Sequence, residues 1–276
     1  MHFLILLLSR LIRVVANLTK VFSYLFHWFF PKKRFTMPRA RPALIPSRKQ
    51  GRIPRIIWQT NYTDRATLPV YLNYLFNRLI SPTWEYRFHL TEDRRVFISQ
   101  HYDADVLACY DRLQIGAAQA DFWRVLVLNK MGGVYLDIDA HMLRPLEFVL
   151  SPQDDEAYVK TRRGDLSNYF IASRPGNPNM ARIAEGIARN IRHPPSNNVF
   201  DITGPGVFNT LLDQSKIKTC LYKFTCAQGT FTNEYFQYLD KKEGKWTKQQ
   251  HVTSVVRPEA ESAVQPQAQT GLRPDA

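Results

Sequence analysis

The segment Gly132-Gly133-Val134-Tyr135-Leu136-Asp137-Ile138-Asp139 constrains the fold of this chain more than any other stretch of it. Two successive glycines can take the positive φ that ends a helix and turns the backbone, and Val134 to Ile138 is a β-branched and aromatic run suited to a strand. The segment therefore reads as a turn, a short buried strand and two carboxylates delivered at its end. Side chains alternate along a strand, so Asp137 and Asp139 are expected on one face. Like charges among apolar neighbours need a compensating cation or donor, and hard oxygen ligands suit Mg²⁺ or Mn²⁺. A solvated turn carrying two acids is the plainer alternative.

Upstream, Ile115 to Met131 has the length and spacing of a helix, with Ile115, Ala118, Phe122, Val125, Leu126 and Asn129 on one side. Asp121 and Arg124 stand three residues apart within it and share a face. There they either pair with each other or jointly hold a polyhydroxyl ligand. Open α/β sheets bind ligands beyond the carboxyl ends of their strands, which is where Asp137 and Asp139 fall.

Ala120-Asp121, Arg124, Gly132-Gly133 and Tyr135-Leu136-Asp137-Ile138-Asp139 resemble the signature of the DXD sugar transferases of glycosyltransferase family 32, which includes initiating α-mannosyltransferases and bacterial polysaccharide enzymes. Ile53-Pro54-Arg55-Ile56-Ile57-Trp58-Gln59-Thr60 is similar to the opening strand of that family. Ser167-Asn168-Tyr169-Phe170-Ile171-Ala172-Ser173 and Pro175-Gly176-Asn177-Pro178 resemble the strand and turn after its metal motif, and Thr203-Gly204-Pro205-Gly206 a later loop. The resemblance covers residues 52 to 213.

It implies an α/β fold of GT-A type, a Rossmann-like nucleotide-sugar-binding sheet flanked by helices. It also implies metal-dependent, retaining transfer of a hexose from a nucleoside-diphosphate sugar to a glycan or lipid-linked acceptor, as in polysaccharide or lipopolysaccharide biosynthesis. By the family's pattern Asp139 coordinates Mn²⁺ or Mg²⁺ directly, and Asp137 contacts metal water or the donor's ribose and sugar. Asp121 and Arg124 hold hydroxyls of the transferred sugar, Trp58 lies near the base, and Tyr135 and Asn168 complete the substrate-binding set. His251, the only histidine after residue 200, is the candidate for a late third metal ligand. Structural rivals stand beside these roles: Trp58 as core, Arg124 as a simple partner for Asp121, Asn168 as an edge residue.

Neither a Ser-His-Asp arrangement nor a Walker or dinucleotide glycine motif is visible. Two other readings of the paired acids remain: a nucleotidyl- or phosphotransferase using the same metal site, and a catalytically decayed membrane-binding module.

Residues 1 to 63 hold twelve Arg and Lys and no Asp or Glu. Against 37 basic and 24 acidic residues overall, that leaves 25 basic and 24 acidic residues after position 63, a nearly neutral body. The excess lies in an N-terminal arm, which argues against a nucleic-acid partner. Within Phe3 to Phe30, Arg10, Arg13, Asn17, Lys20, Tyr24 and His27 trace one narrow stripe on an otherwise apolar helix. Placing Arg10 and Arg13 near a bilayer centre would cost about 5 to 7 kcal/mol, so an in-plane helix on an anionic membrane surface is favoured over a single-pass span. Lys32, Lys33, Arg34 and the arginines through Arg55 would then lie on the headgroups. The charge order favours the cytoplasmic face of a bacterial inner membrane, with peripheral or monotopic attachment. Removing residues 2 to 30 is then expected to leave a soluble protein that still hydrolyses its donor.

The expected organisation is an amphipathic membrane helix at 1–30, a basic Pro-rich linker at 31–51, a single catalytic domain at 52–253 and a disordered tail at 254–276. Strands are expected at Ile53 to Trp58, Trp84 to Leu90, Ala157 to Thr161 and Tyr169 to Ser173, with helices at Pro69 to Leu79, Asp93 to His101, Ala104 to Tyr110 and Met180 to Ile191. Cys109, Cys220 and Cys226 form no Cys-x-x-Cys and suggest a reducing compartment without structural zinc.

Overall fold

A computed structural model describes residues 2–241 and 244–258. Its strands are β1 (Phe35–Thr36), β2 (Ala40–Arg41), β3 (Ile56–Thr60), β4 (Arg65–Ala66), β5 (Glu85–His89), β6 (Gly133–Leu136), β7 (Ala140–Met142), β8 (Glu156–Lys160), β9 (Leu166–Ser173), β10 (Thr219–Leu221) and β11 (Cys226–Gln228). One mixed sheet runs β10-β8-β9-β6-β3-β5-β2, and two ribbons pair β1 with β4 and β7 with β11. Strand β3 is parallel to β5 and β6, whereas β9 runs antiparallel to both β6 and β8. The longer helices are α1 (His2–Phe29), α2 (Leu68–Ile80), α3 (Thr91–His101), α4 (Ala104–Arg112), α5 (Gly116–Met131) and α6 (Pro178–Arg192). The expected elements are all present, with their ends moved by a few residues.

Strand β6 divides the core. Val134 and Leu136 enter the cluster beneath α2, while Tyr135 points the other way into the cluster with Phe122 and Trp123 of α5. Helix α5 is more enclosed than a one-sided apolar pattern suggests, because Phe122 to Leu128 are all buried. It lies between the sheet and the α3 and α6 layer, so these two middle turns are covered all round. Gly132 and Gly133 have φ of 66° and 109°. A Cβ on Gly133 would sit 2.7 Å from the Ile56 carbonyl oxygen, so the turn into β6 needs glycine for space as well as for conformation.

The N-terminal arm differs from its expected form. Helix α1 packs onto the domain through Ser9, Ile12, Ala16, Ser23 and His27, against Leu143, Ala227 and Phe231. Part of the polar stripe is turned to the protein, while Arg10 and Asn17 stay exposed: the Lys20 ammonium reaches the Gly229 carbonyl at 3.5 Å, and the Tyr24 hydroxyl accepts from the Asn233 amide at 2.6 Å. His27 Nε2 accepts the Leu68 backbone N–H at the start of α2 at 3.1 Å, which requires the unprotonated nitrogen that burial favours.

The segment 31–51 is no free linker, since β1 and β2 pair with β4 and β5 and Met37 is buried. Its charges are not all available to headgroups either. Arg34 pairs with Asp240, Arg39 with Asp93, Arg52 with Asp155 and Arg55 with Glu147. At the other end, Val255 and Val256 are buried and Val256 bridges Leu113, so the domain extends past residue 253. The rest of the expected tail, 259–276, lies outside the described residues. Among the described residues no helix is long and apolar enough to cross a membrane.

Candidate active site

Strand β6 stops at Leu136, so Asp137 and Asp139 stand on a turn and not on one face of a strand. What brings them together is a lattice of backbone contacts. The Asp137 N–H donates to the Tyr169 carbonyl at 3.0 Å, and the Ala140 N–H donates back to the Asp137 carbonyl at 2.9 Å. Gln59 donates to the Asp137 carbonyl at 3.1 Å while accepting from the Tyr86 hydroxyl. From α2, Asn73 donates to the carbonyls of Ile138 and Ala140 at 2.7 and 3.0 Å, and Asn77 to that of Ala140 at 2.8 Å. Three buried amides thus hold a turn whose own strand has ended.

The two carboxylates share a donor. Gln228 Nε2 lies 3.2 Å from Asp137 Oδ2 and 3.0 Å from Asp139 Oδ1, and Gln237 Nε2 lies 2.9 Å from Asp139 Oδ2. Burial, then the neighbouring Asp137 charge, raises the Asp139 pKa to about 6. Two hard, convergent carboxylates at the floor of a cavity fit a divalent cation, which would supply the missing positive charge.

Arg124 ties this pair to the α5 helix. Its guanidinium lies 2.9 Å from Asp121 Oδ1 and 3.2 Å from Asp137 Oδ1, donates to the Asn168 carbonyl at 2.8 Å, and lies over the Tyr135 ring at 4.3 Å. Burial would lower its pKa, but Asp137, the Tyr135 hydroxyl and Asp121 outweigh that and hold it charged. The Tyr135 hydroxyl in turn donates to Asp137 Oδ1 at 2.8 Å. Asp121 accepts from Asn168 at 3.0 Å and from the Thr203 hydroxyl at 3.2 Å. Burial raises its pKa to about 7 against the opposing pull of Arg124.

Asp121, Arg124, Tyr135, Asp137, Asp139 and Asn168 all line one cavity of about 670 Å³, walled further by Tyr62, Arg94, Tyr238, Lys241, Lys245 and Trp246. Two expected members are elsewhere. Trp58 is 5% exposed, donates its indole N–H to the Gly132 carbonyl at 2.8 Å and packs edge-on against Trp123, so it is a core residue beneath the glycine turn. His251 is exposed in a turn after the short helix Trp246–Gln249 and does not reach the cavity. Among the described residues no third His, Cys, Asp or Glu joins Asp137 and Asp139.

Sequence pattern alone does not mark Gln59, Asn73, Asn77, Thr203, Gln228 or Gln237 as site residues. Asn73 and Asn77 leave a signal, two amides at i and i+4 in a helix that is apolar and aromatic apart from Arg78. Gln228 and Gln237 leave none. Gln228 reaches the site because β11 pairs with β7 in a register that sets it opposite Ala140.

Residues 69–157 match the family model described as "Glycosyltransferase sugar-binding region containing DXD motif". The initiation-specific α-1,6-mannosyltransferase of Candida albicans is 30% identical over 171 residues, 55% of this chain and 42% of that protein. The inositol phosphoceramide mannosyltransferase 3 of Schizosaccharomyces pombe is 29% identical over 149 residues, 52% of this chain and 40% of its own. An uncharacterized glycosyltransferase, L373, of Acanthamoeba polyphaga mimivirus is 27% identical over 160 residues, 56% and 63% of the two chains. The chain thus spans less than two thirds of the length of each of these relatives. The solved structure of the PaToxG glycosyltransferase superposes with a TM-score of 0.51 at 16% identity, covering 75% of this chain and 80% of that one, a likeness of fold. Together with the mixed sheet it fits a GT-A-like α/β architecture.

Proposed function

We propose that the chain is a DXD-type glycosyltransferase that moves a hexose, with retention, from a nucleoside-diphosphate sugar to a glycan or lipid-linked acceptor, a reading supported by the match to the sugar-binding DXD region and the likeness to the two mannosyltransferases. The observation that carries this reading is Arg124, whose one guanidinium lies 2.9 Å from Asp121 and 3.2 Å from Asp137. It sets the carboxylate that would hold sugar hydroxyls and the carboxylate that would face the diphosphate in one rigid frame. Asp121, Arg124 and Asn168 then orient the sugar, and Tyr135 fixes Asp137. Mn²⁺ or Mg²⁺ held by Asp137 and Asp139 would offset the negative charge of the departing diphosphate.

Retention is supported by what the cavity's acids are doing. Asp121 is bound by Arg124, Asn168 and Thr203, Asp137 by Arg124 and Tyr135, Asp139 by two glutamines, and Glu234 by Lys245. With the acids so engaged, a same-face displacement in which the leaving diphosphate takes the acceptor proton is the fitting route.

The acceptor side of the proposal rests on α1. Its outward face leaves Leu7, Leu11, Leu18, Phe22, Leu25 and Trp28 exposed, with Lys32 and Lys33 following. Such a face suits peripheral attachment to an anionic membrane, where a lipid-linked acceptor would lie.

Product analysis of the full chain tests the reading. With Mn²⁺ and a panel of GDP- and UDP-sugars, the wild type should release a nucleoside diphosphate and form a glycoside whose anomeric configuration, read by NMR, matches the donor. Asp139→Asn should lower the rate by about a hundredfold or more. An unaltered rate in that variant would overturn the role given to Asp139, and no product from the wild type with any donor would indicate a decayed site.

A further inference from the structure

We propose that Gln228 and Gln237 complete the cation site, each presenting its amide oxygen to an ion held by Asp137 and Asp139. The inference rests on the reading of the two aspartates as the cation-binding pair and extends it to residues on a different part of the fold. Among the described residues two carboxylates are the only acidic or imidazole groups there, and a small divalent ion seeks about six oxygens. Diphosphate oxygens and water can fill some positions, but the site supplies two further side chains already in place.

Their spacing is that of neighbouring ligands. In an octahedral shell with metal–oxygen bonds of about 2.0 to 2.1 Å, adjacent ligand atoms lie about 2.9 Å apart. Gln228 Nε2 stands 3.2 Å and 3.0 Å from Asp137 Oδ2 and Asp139 Oδ1, and Gln237 Nε2 stands 2.9 Å from Asp139 Oδ2. A half-turn of each terminal amide exchanges Nε2 for Oε1 at nearly the same point. One side chain thus serves two states. Its N–H donates to the carboxylates while no cation neutralises them, and its carbonyl oxygen becomes a neutral hard ligand once one does.

Both glutamines are held from outside the DXD turn. Gln228 is fixed by its pairing with Ala140, and the Gly229 N–H donates to the Asp139 carbonyl at 3.0 Å. Gln237 lies on the short helix Glu234–Tyr238, whose start is capped by Asn233. The ends of the site therefore come from two chain segments some ninety residues apart in sequence, which is why no local motif marks them.

The test is direct Mn²⁺ titration of the full chain, without nucleotide and then with GDP or UDP added, by the loss of the free-ion electron paramagnetic resonance signal. Wild type, Gln228→Ala, Gln237→Ala, Gln237→Glu and Asp139→Asn would be compared, with circular dichroism melts to confirm folding. Each alanine variant is expected to weaken binding about tenfold or more, and Gln237→Glu, which keeps the oxygen and adds charge, to tighten it. If the alanine variants bind as tightly as wild type or tighter while Asp139→Asn has lost the ion, the amides are only donors competing with the cation and the proposal fails. If Asp139→Asn binds as wild type does, or wild type binds neither alone nor with GDP or UDP added, the aspartate pair is not the cation site and the underlying reading fails with it.

Discussion

At the scale of single residues, Asp121 shows how burial and pairing contend. Its ordinary pKa of 3.8 becomes about 7 in the folded protein, burial outweighing Arg124. The sign follows from proton counting. Between those two values the folded chain holds a proton that the unfolded chain has released, so acid favours the folded state and this contribution is lost as pH rises through about 7. The slope from one such group is at most about 1.4 kcal/mol per pH unit. Asp121→Asn abolishes the titration. Thermal unfolding of the metal-free chain at about pH 5 and about pH 8 should therefore show wild type gaining on the variant by several degrees in acid. Melting points that shift in parallel would contradict the assignment. Asp121 and Arg124 were legible in the sequence because i and i+3 share a helix face, and so was the plain ion pair between them. The sequence did not show that Arg124 also reaches Asp137, because that contact runs from a helix to a turn in another layer.

At the scale of elements, α1 is the case where sequence and structure lead to different experiments. Read alone, the helix is an appendage whose removal leaves a soluble and active domain. In the fold it covers Leu143, Ala227 and Phe231, caps the start of α2 through His27, and bonds Gly229 and Asn233 beside Gln228. Deleting residues 2 to 30 uncovers that cluster. Losing several buried apolar contacts should cost about 3 kcal/mol or more, a drop of roughly 6 °C or more at this chain length. Calorimetry of the full and truncated chains measures it, and an unchanged melting temperature would restore the appendage view. Strand β6 offers the opposite lesson. That it is a short buried strand was readable from its β-branched and aromatic residues, whereas its end was not, because Asn73, Asn77 and Gln59 take over the backbone beyond Leu136.

At the scale of the whole molecule, the outward face of α1 is a band of exposed apolar side chains, Trp28 at 74% and Leu18 at 64% among them. Each large side chain transferred from water contributes about 1.5 to 3 kcal/mol when fully buried, and a lysine near anionic lipid about 1 kcal/mol. The full chain should sediment with vesicles containing phosphatidylserine, and Trp28→Asp with Phe29→Asp should reduce the bound fraction more than tenfold. Full-length protein left in the supernatant would overturn peripheral attachment. Higher salt should weaken the contribution of Lys32 and Lys33 and leave most of the apolar one. The sequence by itself determined the α/β class, the glycine turn, the DXD acids and the Asp121–Arg124 helix, because each is set by local propensity, chain period or steric demand within a few residues. Tertiary structure alone decided that Trp58 is core, that His251 stands apart and that the arm's arginines pair with Asp93, Glu147, Asp155 and Asp240. It alone brought Gln228 and Gln237 to the aspartates, since those contacts join segments distant in the chain, and strand register and packing, not local pattern, choose which distant groups meet.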